Sequence, residues 1–598
     1  MSSTATDAAT GRRAVPGAVL VRHLPRLIGA VVFTWLFVWP LVMLVYGAFR
    51  TSPIGASPSW TMEGVTRVFT APETWSALAT SLVYALVITF FAMAIAIFFA
   101  TVSTRFDVPL RRWITPAMMV IVAMPTVLYA LAWAMLGAGE SGLIHKSLSA
   151  MGLGSLAPLL ETRSWFGLIV VTALKAGALA YLVVVGAFRN RNAALEEAAR
   201  ISGASGGRAF FGIELPALMP AILAAALYVF VKGLEAFETP AMLGVPAGIE
   251  VYSTHIYDYL RGGLRPDYAA ASVASLVIVL ILAALVTLQW RLTGGGRSYS
   301  SVGGRAKAGG LRPAGRARTP LTVAIVLFLL VGLAIPTVQI VLSAFQPYLG
   351  VSTLTTANIE ALLANDAVVK ALQSTLAVSA IGGALAVLLG FVIAYAFVRM
   401  RSAAGRFVQI ASWVPAAMPG LVLGLALLWS VLTTPGGSSL YGTIWVLVIG
   451  LAVATAPLAT RTLEGPLSQI GVELEEAARV FGGSPLRAIG MVTARILSPS
   501  LLSAWFLVGI TMSGILDVPI LLGSTDTQLI ATVSFSYYNN GEPVMASALY
   551  VVFTACLAAL ALALTALGAL IRLALPRARS GGAATPATHS NSEKEHVR

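Results

Sequence analysis

Five ionisable residues stand inside or beside long apolar runs: Lys175, Lys232, Glu235, Glu238 and Asp517. A charge at the middle of a bilayer costs at least ~2.5 kcal/mol, so such residues face a bundle interior, pair with one another or line a water-filled path. Lys232 and Glu235 are three positions apart and can pair on one helical face. Glu238 and Asp517 each precede a proline by two residues near the outer ends of their spans, and are expected to frame the outer mouth of a translocation path. Other chemistry finds little footing. His145 and His255 have no companion at metal-ligand spacing, and the single Cys556 reads as a small buried side chain, so no metal site is expected. None of the six lysines (146, 175, 232, 307, 370, 594) follows a glycine, so the chain carries no phosphate-binding loop of its own and no bound cofactor is expected. No nucleophile, base or metal set gathers toward one face, which argues against an enzyme.

The elements that position these charges are membrane spans. Of 598 residues, 58% are hydrophobic and 11% charged, against about 25% charged in a soluble domain. A hydrocarbon layer about 30 Å thick takes ~20 helical residues. Twelve apolar runs qualify: 27–49, 78–102, 113–136, 166–188, 221–243 and 269–290, then 321–345, 372–398, 407–432, 441–459, 497–522 and 544–575. The first is too long for a cleaved signal and reads as a retained span. Pro125, Pro415 and Pro419 fall inside runs and predict kinks, with either a packing or a cavity-lining role. The expected fold is an all-α polytopic membrane protein. Its parts are a tail (1–26), a six-helix domain (27–290), a Gly/Ser/Arg-rich linker (291–319), a second six-helix domain (320–575) and a tail (576–598).

Lys and Arg outnumber Asp and Glu by 14, but they lie in short clusters between apolar runs, which speaks against nucleic-acid binding. Thirty of the 39 fall on one side when alternate loops are assigned to the cytoplasm, which puts both termini and the linker there.

The halves repeat. LEEAARISG at 195–203 returns as LEEAARVFG at 474–482, an offset of 279 that also relates Pro220 to Pro499, Glu238 to Asp517 and Gly244 to Gly523. Ala123-Met124-Pro125 and Ala417-Met418-Pro419 are 294 apart, so the first half carries about fifteen extra residues near 139–163. Six spans bring the chain back to its starting side, which makes the repeats parallel.

In each repeated segment, Leu195, Ala198, Ala199 and Ser202, or Leu474, Ala477, Ala478 and Phe481, form one stripe of a short helix. Its small residues let another surface approach. Glu196 with Arg200, and Glu475 with Arg479, are spaced as i,i+4 pairs on the opposite side, worth about 0.3 to 0.5 kcal/mol each. Gly203 and Gly482 stand where the helix ends and can take positive φ, which predicts a sharp corner into a second helix.

Glu197-Ala198-Ala199, Gly203 and Ile213-Glu214-Leu215-Pro216 together resemble the EAA loop of binding-protein-dependent ABC importer permeases. In the second copy Glu476-Ala477-Ala478 and Gly482 fit, Val492 replaces the isoleucine and Ala494-Arg495 replace Leu-Pro. The whole chain is similar to the fused, tandem permeases of the ferric-iron uptake group. The resemblance implies a type I importer permease fold in the bacterial inner membrane, and two copies of an ATPase that consumes the ATP. It also implies an extracytoplasmic solute-binding protein and coupling through Glu196, Glu197, Ala198, Ala199, Arg200, Gly203, Pro216, Glu475, Glu476, Ala477, Ala478, Arg479 and Gly482. Ferric iron is the cargo of that group; 2-aminoethylphosphonate, polyamines, thiamine, sulfate and molybdate stay open. An ion-gradient-driven secondary transporter would also explain the repeats and intramembrane acids, but not two EAA-type helix pairs.

Overall fold

Inside a bilayer each backbone N–H and C=O must find a partner within the protein, and an α-helix supplies it locally. The computed structural model describes residues 29–50, 59–190, 198–199, 201–262, 265–292 and 311–574, and these are overwhelmingly helical. Seven described helices are long and apolar enough to cross a membrane: Pro72–Arg105, Trp165–Arg189, Gly206–Leu234, Tyr268–Leu288, Gly315–Ala344, Asp366–Arg399 and Ile444–Ser468. Four bent helix pairs raise the number to 11 if each counts as one crossing. Residues 1–550 form one unit; the second, 551–598, is described only to Ala574, as the end of the helix Pro543–Ala574. Cys556 is exposed on that helix, not buried as its apolar run suggested.

The expected kinked spans 113–136 and 407–432 are broken outright. Arg111–Ala123 meets Thr126–Leu136 at 97°, and Ala403–Ala416 meets Gly420–Thr433 at 113°. Pro125 and Pro419 cause this: each caps the second leg in extended backbone, with ψ of 136° and 146°. Proline lacks an N–H and pushes the residue before it out of the helical region, and Met124 accordingly has ψ 127°. The second legs have 11 and 14 residues, too short for a ~30 Å layer at about 1.5 Å per residue. Every residue of Val127–Leu136 is buried, as is every residue from 421 to 431. Helices apolar on all sides belong in a protein core, and these two are buried there. Pro415, by contrast, stays within its helix.

Each half lends its first helix to the other. Trp39 and Thr434 are joined by a 3.1 Å hydrogen bond from the indole, and Trp429 lies so close to Gly47 that a Cβ there would sit 2.4 Å from the ring. The Trp429 indole also donates to Ser272 Oγ at 3.0 Å. Reciprocally, the Tyr129 hydroxyl donates to the Gly332 carbonyl at 3.2 Å. Within each half small residues bring long helices together, Gly177 against Ile95 and Gly390 against Ala459.

Two further features depart from strict repetition. Arg312–Pro313, within the segment read as a linker (291–319), pairs in parallel with Phe106–Asp107. The extra residues of the first half fold as the helix Leu143–Ala150 and the 3-10 helix Gly154–Leu160, where the second half has only Gly437–Ser439.

Candidate functional site: two repeated loops and a buried charge cluster

Where both copies are described, the corners of the two EAA-type segments share one geometry at the offset of 279. Gly203 and Gly482 both have φ +86°, the left-handed conformation that glycine adopts without Cβ strain. Past the corner, the Ala204 amide donates to the Ala199 carbonyl and the Gly483 amide to the Ala478 carbonyl, both at 3.0 Å. Ser205 and Ser484 then cap the next turn, accepting from the amides of Arg208 and Arg487 at 3.3 Å. A π-helical turn follows in each copy, Phe210–Glu214 and Ile489–Thr493, and leads into the helices Leu215–Leu234 and Ser498–Ser513. Ala198, Ala477, Glu476, Arg479, both glycines and Pro216 are exposed, while Ala199 and Ala478 are half-buried. Glu196, Glu197 and Arg200 lie outside the described residues.

Glu475 departs from expectation. Its carboxylate turns inward rather than pairing with Arg479 and is 7% exposed. It accepts a 2.7 Å hydrogen bond from the Tyr395 hydroxyl and one of 2.5 Å from Thr493 Oγ. Two aligned hydroxyls on neighbouring elements outcompete a solvated surface pair worth a few tenths of a kcal/mol. The short helix Val472–Val480 is thereby pinned to the membrane helix Gly383–Arg399 and to its own π-helical turn. In the first half the corresponding tie is an ion pair: Arg105 Nη1 meets Glu214 Oε2 at 2.9 Å, both side chains nearly excluded from solvent, with the guanidinium 4.9 Å from the Phe210 ring centroid. Arg399, the counterpart of Arg105 at the offset of 294, donates to the carbonyls of Leu467 and Ile470. Tyr395, Thr493, Arg105, Arg399 and Glu214 were not singled out as site residues from the sequence. Charges abutting apolar runs could have flagged the two arginines and Glu214; nothing local marks Tyr395 or Thr493.

The five charged residues converge where the halves meet. Lys232 Nζ pairs with Glu235 Oε2 at 2.6 Å. Lys175 donates to the Met124 carbonyl at the break between the two legs and lies 5.6 Å from the Tyr129 ring centroid. Glu238 is within Coulombic reach of Lys175, Lys232 and Asp517 and of the Leu516 amide. The Asp517 carboxylate lies against Gly420, where a Cβ would sit 1.7 Å from Oδ2, at the start of the second broken leg. Glu235, Glu238 and Asp517 lie beyond helix ends, although the apolar runs continue past them, because the helices stop at Leu234 and Ser513. Pro240 cannot donate to the Ala236 carbonyl four residues back, and the Ser253 hydroxyl takes it instead. His255 is held by Glu250 at 3.3 Å and Thr74 at 3.2 Å. Among the described residues no group of three His, Cys, Asp or Glu side chains could hold a metal ion.

A helical chain with several membrane-length apolar helices, a repeated exposed corner and a polar cluster between its halves is the architecture of a transport permease. The family described as "Binding-protein-dependent transport system inner membrane component" matches residues 92–292 and again 386–580, and the chain belongs to it. Similar proteins include the ferric transport system permease protein FbpB of Actinobacillus pleuropneumoniae, 26% identical over 63% of this chain and 54% of the relative. A putative ferric transport system permease of Haemophilus influenzae is 26% identical over 61% of this chain and 57% of its own length. The putrescine transport system permease protein PotI of Escherichia coli K12 is 27% identical over 24% of this chain and 53% of its own length. The chain thus aligns with little more than half the length of each.

Proposed function

We propose that this chain is the fused, double-length permease of an ATP-driven importer, with ferric iron as cargo. The reading places twelve spans in two parallel six-helix repeats of the type I importer fold, covering 27–290 and 320–575. The tails 1–26 and 576–598 and the linker 291–319 are cytoplasmic. Two copies of a separate ATPase bind beneath the two loops and consume the ATP, and an extracytoplasmic solute-binding protein delivers cargo from the other side. One observation carries the reading: two exposed corners with the same φ, the same amide-carbonyl bonds and the same capping serines, 279 residues apart. Such a duplicated rigid surface suits a partner with two equivalent subunits.

In this reading Glu196, Glu197, Ala198, Ala199, Arg200, Gly203, Pro216, Glu475, Glu476, Ala477, Ala478, Arg479 and Gly482 form the coupling segments. Most face the ATPase, while Glu475 holds its segment to the membrane helix behind it. Closure of the ATPase dimer draws the two corners together, and the ties Tyr395–Glu475–Thr493 and Arg105–Glu214 pass the motion to the spans. Lys175, Lys232, Glu235, Glu238 and Asp517 line the path between the halves, where a polar cluster offers charged cargo an alternative to water.

The likeness to ferric permeases favours iron as cargo; the shorter likeness to a putrescine permease makes a polyamine the competing cargo. The test is uptake into proteoliposomes holding the chain, its ATPase and its solute-binding protein. ATP-dependent accumulation of labelled ferric iron supports the proposal, and accumulation of labelled putrescine instead replaces the cargo. Flux that persists without ATP overturns the importer reading.

A further inference from the structure

We propose that the two loops hold their ATPase subunits unequally, the second-half loop acting as the anchor and the first-half loop as a loose contact. This rests on the ATPase-docking reading above. The backbone of the two corners is alike in every hydrogen bond named, so the difference in contact surface comes from side chains. At the corner, Ile201 (88% exposed) corresponds to Val480 (84%), an even match. The next position differs: Ser202 in the first loop, Phe481 in the second, with the phenyl 92% exposed. Five residues on, Gly207 corresponds to Leu486, which is 80% exposed. Arg208 and Arg487 are equivalent and both exposed, so charge does not distinguish the two loops.

A phenyl ring and an isobutyl group standing almost wholly in water at one rigid corner gain free energy when a partner covers them. Backbone freedom adds to the contrast. The first loop has Gly206-Gly207 where the second has Pro485-Leu486, and proline at the first position of a helical turn narrows the unbound ensemble. The second loop is therefore both more apolar and better preorganised, and preorganisation lowers the cost of binding. Farther along, Phe211 (68% exposed) corresponds to Gly490, so the second loop's advantage is confined to the corner itself.

The experiment is a dilution series of the full-length chain co-purified with its ATPase, read by native mass spectrometry. The expected result is a species with one ATPase copy that persists over a wider range than two equal sites would give statistically. Phe481→Ser weakens that remaining copy at least about ten-fold, the scale of exposing a phenyl ring, and narrows the range. Ser202→Phe strengthens the loosely held copy and also narrows it. Phe481→Leu, which keeps an apolar group, falls between. Loss of both copies together from the unaltered chain, or an unchanged one-copy species in Phe481→Ser, overturns the inequality while leaving docking intact. Failure of the unaltered chain to retain any ATPase overturns the docking reading itself.

Discussion

The Tyr395 hydroxyl donates to the Glu475 carboxylate across 2.7 Å, joining a membrane helix to the short helix of the second EAA-type segment. The only other hydrogen bond described to that carboxylate comes from Thr493, on the turn that follows the corner. One buried carboxylate thus clamps three consecutive structural levels. Removing a single donor leaves an acceptor buried without its partner, which costs about 1 to 3 kcal/mol. Tyr395→Phe is therefore expected to retain the ATPase but lower cargo transported per ATP hydrolysed several-fold. Parallel uptake and phosphate-release assays in proteoliposomes check this; an unchanged ratio would show that the clamp does not transmit motion.

Arg105 and Glu214 are both almost fully buried, and breaking one member of such a pair typically costs about 3 to 5 kcal/mol. Glu214→Gln and Arg105→Ala are each expected to lower the thermal midpoint of the purified chain by several degrees. The double change Arg105→Met with Glu214→Leu should recover much of the loss, because the desolvation cost of the two charges disappears with them. Fluorescence-detected size exclusion after heating measures all three.

Gly482 has φ +86° with open space where a Cβ would point, so a substitution there suffers from backbone strain and not from collision. A β-branched residue in this conformation costs on the order of 1 to 3 kcal/mol. Gly482→Val should lower transport-coupled ATP hydrolysis more than it lowers membrane expression, and Gly482→Asn should be milder because asparagine tolerates the left-handed region better. Equal loss of expression and activity would assign the glycine a folding role.

Gly514 meets Pro125 so closely that a Cβ would lie 2.4 Å from the proline Cβ. Gly514→Ala should thus push the two halves apart at the break of the first core leg, with a loss of about 1 to 3 kcal/mol. A drop in thermal midpoint with normal membrane insertion is the expected outcome.

Glu238 and Asp517 belong to one electrostatic cluster with Lys175 and Lys232. Glu238→Gln combined with Asp517→Asn should lower cargo uptake at least ten-fold while leaving membrane insertion and ATPase retention in place. Unchanged uptake by the double variant would reduce the two acids to packing.

The corners were legible from the residues because their determinants are local. A short helix with a stripe of small residues and a glycine just past its end specify the corner wherever it occurs, while the capping by Ser205 and Ser484 shows only in the structure. The spans were legible as apolar runs, but length and hydropathy carry no direction, so a run that turns by 97° at Pro125 or by 113° at Pro419 reads like a straight one. The inward turn of Glu475 was hidden for a related reason. Spacing shows that it could reach Arg479, but not that a tyrosine 80 residues earlier offers a better bond. Lys232 and Glu235 paired as their spacing predicted, whereas their proximity to Asp517 depends on how the two halves close.

The helix Leu143–Ala150 and the turn Gly154–Leu160 stand on one half alone, and Lys146 ties them to the Gly350 carbonyl of the other. Two matching halves without them would accept a covering protein in either of two orientations half a turn apart. The flank made by these residues, with Met151 72% and Leu159 69% exposed, removes that ambiguity. The duplicated chain is keyed on this face, where its two halves present different surfaces.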